Sequence, residues 1–169
     1  MQQDLKAGAG GFADDRTKLF TITVSDIYLG KAVLYDYLPL MVKKATDPRL
    51  KHTILNVAIS ISAQLLRLNF ILAILKQILL NHVPLVREMA DLPAYLERDL
   101  VEISDYSTDV LLLVHLTIVE TKEVEAFHLL QKLARKLQNR NIAQYLHRNL
   151  QDALNSKLAL EQLLDSLVG

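Results

Sequence analysis

The sequence predicts an all-α protein built as a bundle of four long helices with one long connection. Only 5 residues are glycine and 4 are proline, so few positions favour turns. Apolar residues recur at three- and four-residue spacing along almost the whole chain, which is the period of an amphipathic helix. With 169 residues, of which 51% are hydrophobic, the chain suits one domain with a substantial core. We expect a single bundle over residues 16–169, after a flexible, glycine-rich tail over residues 1–15.

The first two helices are predicted on either side of a short turn. The first covers residues 15–44, and Pro39 should kink it because proline lacks an N–H donor and crowds the preceding turn. Asp47 is expected to cap the second helix, and Pro48 suits its first turn, where a missing N–H has no helical partner. The second helix should continue from there to about residue 80.

The second half of the chain predicts two further helices, over residues 107–138 and 141–167. The segment Asn139-Arg140-Asn141 separates them, with asparagines suited to a left-handed cap and to an N-cap. The connection over residues 81–106 is much longer and should contain a short helix at about 94–103. Short connections join antiparallel neighbours, whereas a long one can return along the bundle. Helices 2 and 3 are therefore expected to run parallel.

Composition excludes several classes of protein and site. Lys plus Arg and Asp plus Glu both number 19, and a net charge of zero argues against dedicated binding of nucleic acid or anionic membranes. The chain has no cysteine, which excludes disulfides and thiolate metal sites. Arg67 and Lys76 interrupt the apolar run over residues 54–80, so we expect a buried helix and no membrane span. The N-terminus lacks the pattern of a signal peptide, and we expect a cytoplasmic protein.

Two segments in the first half carry a family pattern. Residues 26–39 read DIYLGKAVLYDYLP, and residues 47–51 read DPRLK. They resemble the YciE/YciF branch of the ferritin-like superfamily, whose first helix typically reads D-I-Y-x-A-E-K-x-L-L-x-x-L-P and whose second helix opens S-P-x-L-K. The opening D-I-Y and the kinking proline match, whereas Lys31 replaces the inward glutamate of the family.

The remaining family motifs match in order but have lost many of their ligands. The acidic core E-E-T-E-G-H of the second helix falls on ISISAQ at residues 59–64, within an acid-free stretch from Asp47 to Glu88. The third-helix motif V-E-H-Y-E-I-A-x-Y corresponds to VETKEVEAF at residues 119–127, which has threonine in place of histidine. In the fourth helix an acidic cluster becomes QDA at residues 151–153. The resemblance spans about residues 20–164 and implies a ferritin-like bundle.

The resemblance also implies which residues line the former metal site. Ferritin-like sites bind two metal ions with carboxylates from four helices and imidazoles from some of them. Three acids without histidine offset two divalent charges poorly, and a protonated lysine has no lone pair to donate. We therefore expect no bound metal, no cofactor and no catalytic residue. The relict lining consists of Lys31, Ser60, Gln64, Glu120, Glu123 and Asp152.

Lys31 should have a partner other than metal, because a buried charge without a partner is costly. The candidates are Glu120, Glu123 and Asp152. The five histidines show no zinc-site spacing with acids. His115 lies in an apolar run and is expected to be a core or interface residue. The acid-free, basic segment over residues 126–151 is either a docking patch for an acidic partner or a solvated helix end that suits the helix dipole.

Helix 2 is apolar on more than the single stripe that a surface helix needs. Either the long connection or another subunit must cover its second face. The family resemblance also implies dimers, and we expect a homodimer that buries part of helix 2 or helix 1. A further protein partner stays open.

These observations favour a non-catalytic ferritin-like protein, acting as a structural or interaction module of stress-response type. One alternative is a weak metal-binding or ferroxidase-like protein that uses a reduced site at Glu120, Glu123 and Asp152. A second alternative is a carrier of an apolar ligand inside the depolarised bundle.

Overall fold

The computed structural model describes residues 7–77 and 104–169, with side chains from residue 15 onward. Within these ranges the chain forms four helices and no strand: α1 (Ala7–Lys44), α2 (Pro48–Ile74), α3 (Asp105–Ala134) and α4 (Arg140–Val168). The all-α prediction is confirmed. The short helix expected at 94–103 lies outside the described residues.

The helices form a ring in the order α1, α2, α4, α3, since α1 and α4 each contact both α2 and α3. Contacts at one end of the bundle give their directions. The backbone N–H of Thr46, just after α1, donates to Asp109 in the first turns of α3 at 2.7 Å. The Tyr106 hydroxyl at the start of α3 donates to the Leu167 carbonyl near the end of α4 at 3.1 Å. Helices α2 and α3 therefore run parallel, as in a ferritin-like bundle.

The short connection between α1 and α2 is fixed against α3 by one buried carboxylate. Asp109 accepts hydrogen bonds from the Thr46 N–H (2.7 Å), the Thr46 hydroxyl (2.6 Å) and the Asp47 N–H (2.8 Å). Asp47 in turn caps α2, because its Oδ1 accepts from the Arg49 N–H at 2.7 Å and Pro48 is the first helical residue. The predicted cap of the second helix is confirmed.

Helices α1 and α2 each differ from the prediction at one end. Helix α1 begins at Ala7, so residues 7–15 of the expected tail are helical. No proline interrupts them, and the helix forms although three of these residues are glycines, which disfavour it. Helix α2 ends at Ile74 instead of about residue 80. Lys76 adopts a left-handed conformation (φ 53°), and the Gln77 N–H bonds to the Leu72 carbonyl at 3.0 Å. This is a Schellman cap, formed here without the usual glycine.

The turn between α3 and α4 also contains a left-handed residue. Helix α3 ends at Ala134, four residues earlier than predicted, and Gln138 takes the left-handed conformation (φ 50°). Asn139 is the N-cap of α4, and its Oδ1 accepts from the N–H groups of Asn141 and Ile142 at 3.0 and 3.1 Å. One of the two asparagines therefore fills the predicted capping role, while glutamine supplies the left-handed residue.

The buried apolar side chains form two clusters, one above the other along the bundle. All four helices contribute to both clusters. On each helix, the change from one cluster to the other falls at or beside buried polar residues, which together form a polar layer across the middle of the core. Fully buried members of the cluster nearer Asp109 include Leu34, Ile54, Leu113 and Leu160, and those of the other cluster include Phe20, Leu68, Phe127 and Leu146.

Helix α2 keeps a second apolar face exposed. Among the described helices, it is the one long and apolar enough to cross a membrane by length and composition, a test that core helices of soluble proteins also pass. In its most apolar window, 33% of the residues are buried inside the bundle. Large apolar side chains on the outer face are between 37% and 71% exposed: Leu55, Ile59, Leu66, Phe70 and Ile74.

Candidate functional site

The polar layer contains a buried ion pair between α1 and α3. Lys31 is 0% exposed, and its ammonium group pairs with Glu123. The ammonium nitrogen also lies 5.7 Å from the centroid of the Phe127 ring, which adds a cation–π contact. Of the three acids that the sequence offered as partners, Glu123 is the one that Lys31 contacts.

Glu120 lies one helical turn before Glu123 and is 1% exposed. Its Oε2 has no hydrogen-bond partner among the described residues. Burial raises the pKa of Glu120 to about 8, with a further contribution from the charge of Glu123 and an opposing one from Lys31. The Glu120 carboxyl group is therefore mostly protonated at neutral pH.

A second polar group joins α2 and α4. The side-chain amide of Gln64 donates to the Asn149 carbonyl at 3.2 Å, and the Asn149 amide donates to the Gln64 carbonyl at 3.4 Å. Arg67 donates to the side-chain oxygen of Asn149 at 3.0 Å and forms an ion pair with Asp152. The charge of Asp152 is thus balanced by Arg67 and not by Lys31.

Ser60, the remaining predicted residue, is half-buried, and its hydroxyl oxygen has no hydrogen-bond partner in the described part of the chain. It lines a groove of about 400 Å³ together with Arg67 and Asp152. The six predicted residues therefore fall into two groups with separate contacts. Lys31, Glu120 and Glu123 lie between α1 and α3, whereas Ser60, Gln64 and Asp152 belong to the side formed by α2 and α4.

Sequence reasoning missed two members of this layer, Arg67 and Asn149. In the sequence alone, Arg67 is one of two charges that interrupt an apolar run. Its spacing could have indicated its place in the polar layer. Ser60, Gln64 and Arg67 follow one another at intervals of four and three residues, so they share one helix face. Asn149 stands three residues before Asp152 and shares its face in the same way.

The histidines take no part in the polar layer where their side chains are described. His52, His128 and His147 are exposed, and His115 is half-buried. Burial, and then the charge of Lys122, lower the pKa of His115, so its imidazole is neutral at pH 7. Across residues 15–77 and 104–169, no three side chains of His, Asp or Glu are grouped so that they could hold a metal ion.

The topology, with α2 and α3 parallel to each other, α1 and α4 antiparallel to both and a polar layer at mid-height, defines a ferritin-like four-helix bundle. The chain belongs to the family described as "Domain of unknown function (DUF892)", whose model matches residues 15–169. The resemblance to the YciE/YciF branch is thereby confirmed at the level of family and fold.

Solved structures give the same fold. The crystal structure of the Escherichia coli stress protein YciF matches with a TM-score of 0.81 at 17% identity, covering 90% of this chain and 96% of that one. YcfI from Rhodopseudomonas palustris, described as a candidate structural protein, matches with a TM-score of 0.77 at 19% identity, covering 86% and 92%. Among curated proteins, none matches the chain significantly. At these identities the likeness establishes the fold.

Proposed function

We propose that this protein is a non-catalytic ferritin-like bundle that has lost its di-metal site and acts as a structural or interaction module of stress-response type. One observation carries the proposal. Lys31, at the position where the family has an inward glutamate, is fully buried and paired with Glu123. A fixed positive charge thus stands where a metal ligand would be needed.

The other acids of the layer support the same proposal. Asp152 is paired with Arg67, and Glu120 is mostly protonated at neutral pH. The layer therefore neutralises its acids with two side-chain cations and one bound proton. A di-metal centre needs several ionised carboxylates or neutral imidazoles that converge on the same space. These donors do not fit that requirement.

The descriptions of two proteins with the same fold support the proposed kind of role. YciF is described as a stress protein, and YcfI as a candidate structural protein. Both share the bundle at 17% and 19% identity. A bundle with this fold and with its polar layer closed by ion pairs suits a role that depends on its surface and stability.

Metal analysis and an iron(II) oxidation assay test the loss of the metal site. Protein purified without chelator should contain far less than one iron per chain and should oxidise iron(II) no faster than buffer. Lys31→Glu should increase divalent-metal uptake because it removes the fixed cation and returns an acid. The matched control is Lys43→Glu, an exposed charge reversal on the same helix. Stoichiometric iron with turnover in the natural protein would overturn the proposal and favour the ferroxidase-like alternative.

We also propose that the bundle works as a homodimer joined through the outer face of α2. Leu55, Ile59, Leu66 and Phe70 follow one another along this face and are 45–71% exposed. An exposed apolar stripe of this kind favours association with a second apolar surface. A second copy can supply the same stripe across a twofold axis.

Light scattering at micromolar concentration should give twice the mass of one chain. Ile59→Arg should shift the mass to that of a monomer. Ile59 is the most exposed apolar side chain of the stripe, and the arginine would place a charge at the centre of the interface. Leu158→Arg on α4, 54% exposed, is the matched control and should stay dimeric. A strictly monomeric natural protein would refute the dimer.

A further inference from the structure

A cavity of about 490 Å³ lies between α1 and α3, beside the polar layer. Small-molecule sites usually have volumes of about 300–1,000 Å³ and mostly apolar walls with a few polar groups. The walls of this cavity fit that description. Its apolar lining includes Ile27, Ile118, Val119 and Ala126.

Asp26 is the polar residue that distinguishes this cavity. It lines the cavity from α1 and is only 6% exposed. Its Oδ1 is buried and accepts no hydrogen bond from the described residues. An acceptor in this state loses its water partners without replacement, so a ligand that brings a donor would recover that loss.

The charges around Asp26 indicate that the hydrogen-bond donor of the ligand should be positively charged. Glu123 is already paired with Lys31, and the exposed Lys122 and Glu125 carry opposite charges at the rim. His115 is neutral because burial and Lys122 lower its pKa. Desolvation raises the pKa of Asp26 to about 6, so this carboxyl is ionised above that pH. Among the lining residues, Asp26 therefore carries the negative charge that no positive charge offsets.

We propose that the cavity between α1 and α3 binds a small amphiphilic amine. The ammonium group donates to the Asp26 carboxylate, and the apolar body packs against Ile27, Ile118 and Ala126. The site goes beyond the proposed structural role. It shares one observation with that proposal, because the Lys31–Glu123 pair is what leaves Asp26 as the unbalanced charge of the cavity, but none of its ligand contacts uses Glu120 or Asp152.

Three probes with one common chain separate the head-group contribution from burial of the apolar tail. The full chain is titrated at pH 7.5 with n-octylamine, n-octanol and octanoate by calorimetry. Octylamine should bind about tenfold or more tightly than octanol, because both probes can donate a hydrogen bond to the carboxylate but only the ammonium group adds an opposite charge. Octanoate should bind most weakly. Equal affinities for the three probes, or no binding of octylamine, would overturn the proposal.

Two variants locate the site. Asp26→Asn should weaken octylamine binding about tenfold or more and leave octanol binding nearly unchanged, whereas the exposed Asp36→Asn on the same helix should change neither. Ala126→Phe should weaken both octylamine and octanol by filling the cavity, and it serves as the second variant if Asp26→Asn does not fold. Octylamine binding that survives the cavity-filling change would place the ligand elsewhere and contradict the proposal.

Discussion

Replacing Lys31 with methionine should lower the free energy of unfolding by about 3–5 kcal/mol. The change keeps most of the side-chain volume but removes the charge that balances Glu123. A carboxylate that is 6% exposed would then stand without its cation, one turn from Glu120. Urea denaturation at pH 7, followed by circular dichroism, measures the loss.

Two further variants separate loss of the pair from loss of a lysine. Lys157→Met breaks a partly exposed pair with Glu161 at 3.4 Å and should change stability by about 0.5 kcal/mol or less, because water screens such pairs. Adding Glu123→Leu to Lys31→Met should recover much of the loss, since an apolar replacement leaves no charge to compensate. Equal, small losses for Lys31→Met and Lys157→Met would show that the buried pair contributes little.

Stability should fall as the pH rises from about 4.5 to about 8, with a slope of up to about 1.4 kcal/mol per pH unit from Glu120 alone. The pKa of Glu120 is about 8 in the folded protein and 4.5 as a free side chain. The folded state therefore binds one more proton than the unfolded state inside this window. Its stabilising contribution is complete below pH 4.5 and is lost as the pH passes through 8.

Glu120→Gln should remove this dependence, because the amide is neutral at every pH. At pH 8 the variant should be about 4 kcal/mol more stable than the natural protein, while the difference near pH 5 should be about 1 kcal/mol or less. The exposed Glu125→Gln is the matched control and should keep the natural pH profile. Denaturation midpoints across pH 5–8 test both variants. A natural profile that is already flat would show that Glu120 is ionised in the fold.

The fold followed from the sequence because its signals are local and repeated. Apolar periodicity defined the four helices, and connection lengths defined which neighbours are antiparallel. The cap at Asp47 and Pro48 was predictable because these residue types have specific roles at a helix start. The end of α2 was not, since a left-handed lysine carries no such signature and its cost depends on the packing that follows.

The sequence predicted the residues of the candidate site better than it predicted the ion pairs between them. The family resemblance indicated Lys31 and Asp152. The cost of a buried charge without a partner predicted that Lys31 would be paired. The pairing of acids with cations depends on how far each of the four helices is rotated about its axis. Apolar periodicity does not define that rotation precisely enough to decide between neighbouring side chains. Arg67 therefore remained hidden although it balances Asp152. The buried carboxyl of Asp26 was missed because its environment comes from two helices far apart in sequence.

The polar layer across the core has a consequence for how the helices align along their axes. Leucine-rich surfaces look alike at successive turns, so an apolar core by itself tolerates a helix that slides by one turn, about 5.4 Å. Such a slide of α1 would move Lys31 away from Glu123 and into one of the two apolar clusters. The cost of an unpaired charge there excludes the displaced arrangement. The paired charges of the polar layer would thus select one axial register for the bundle.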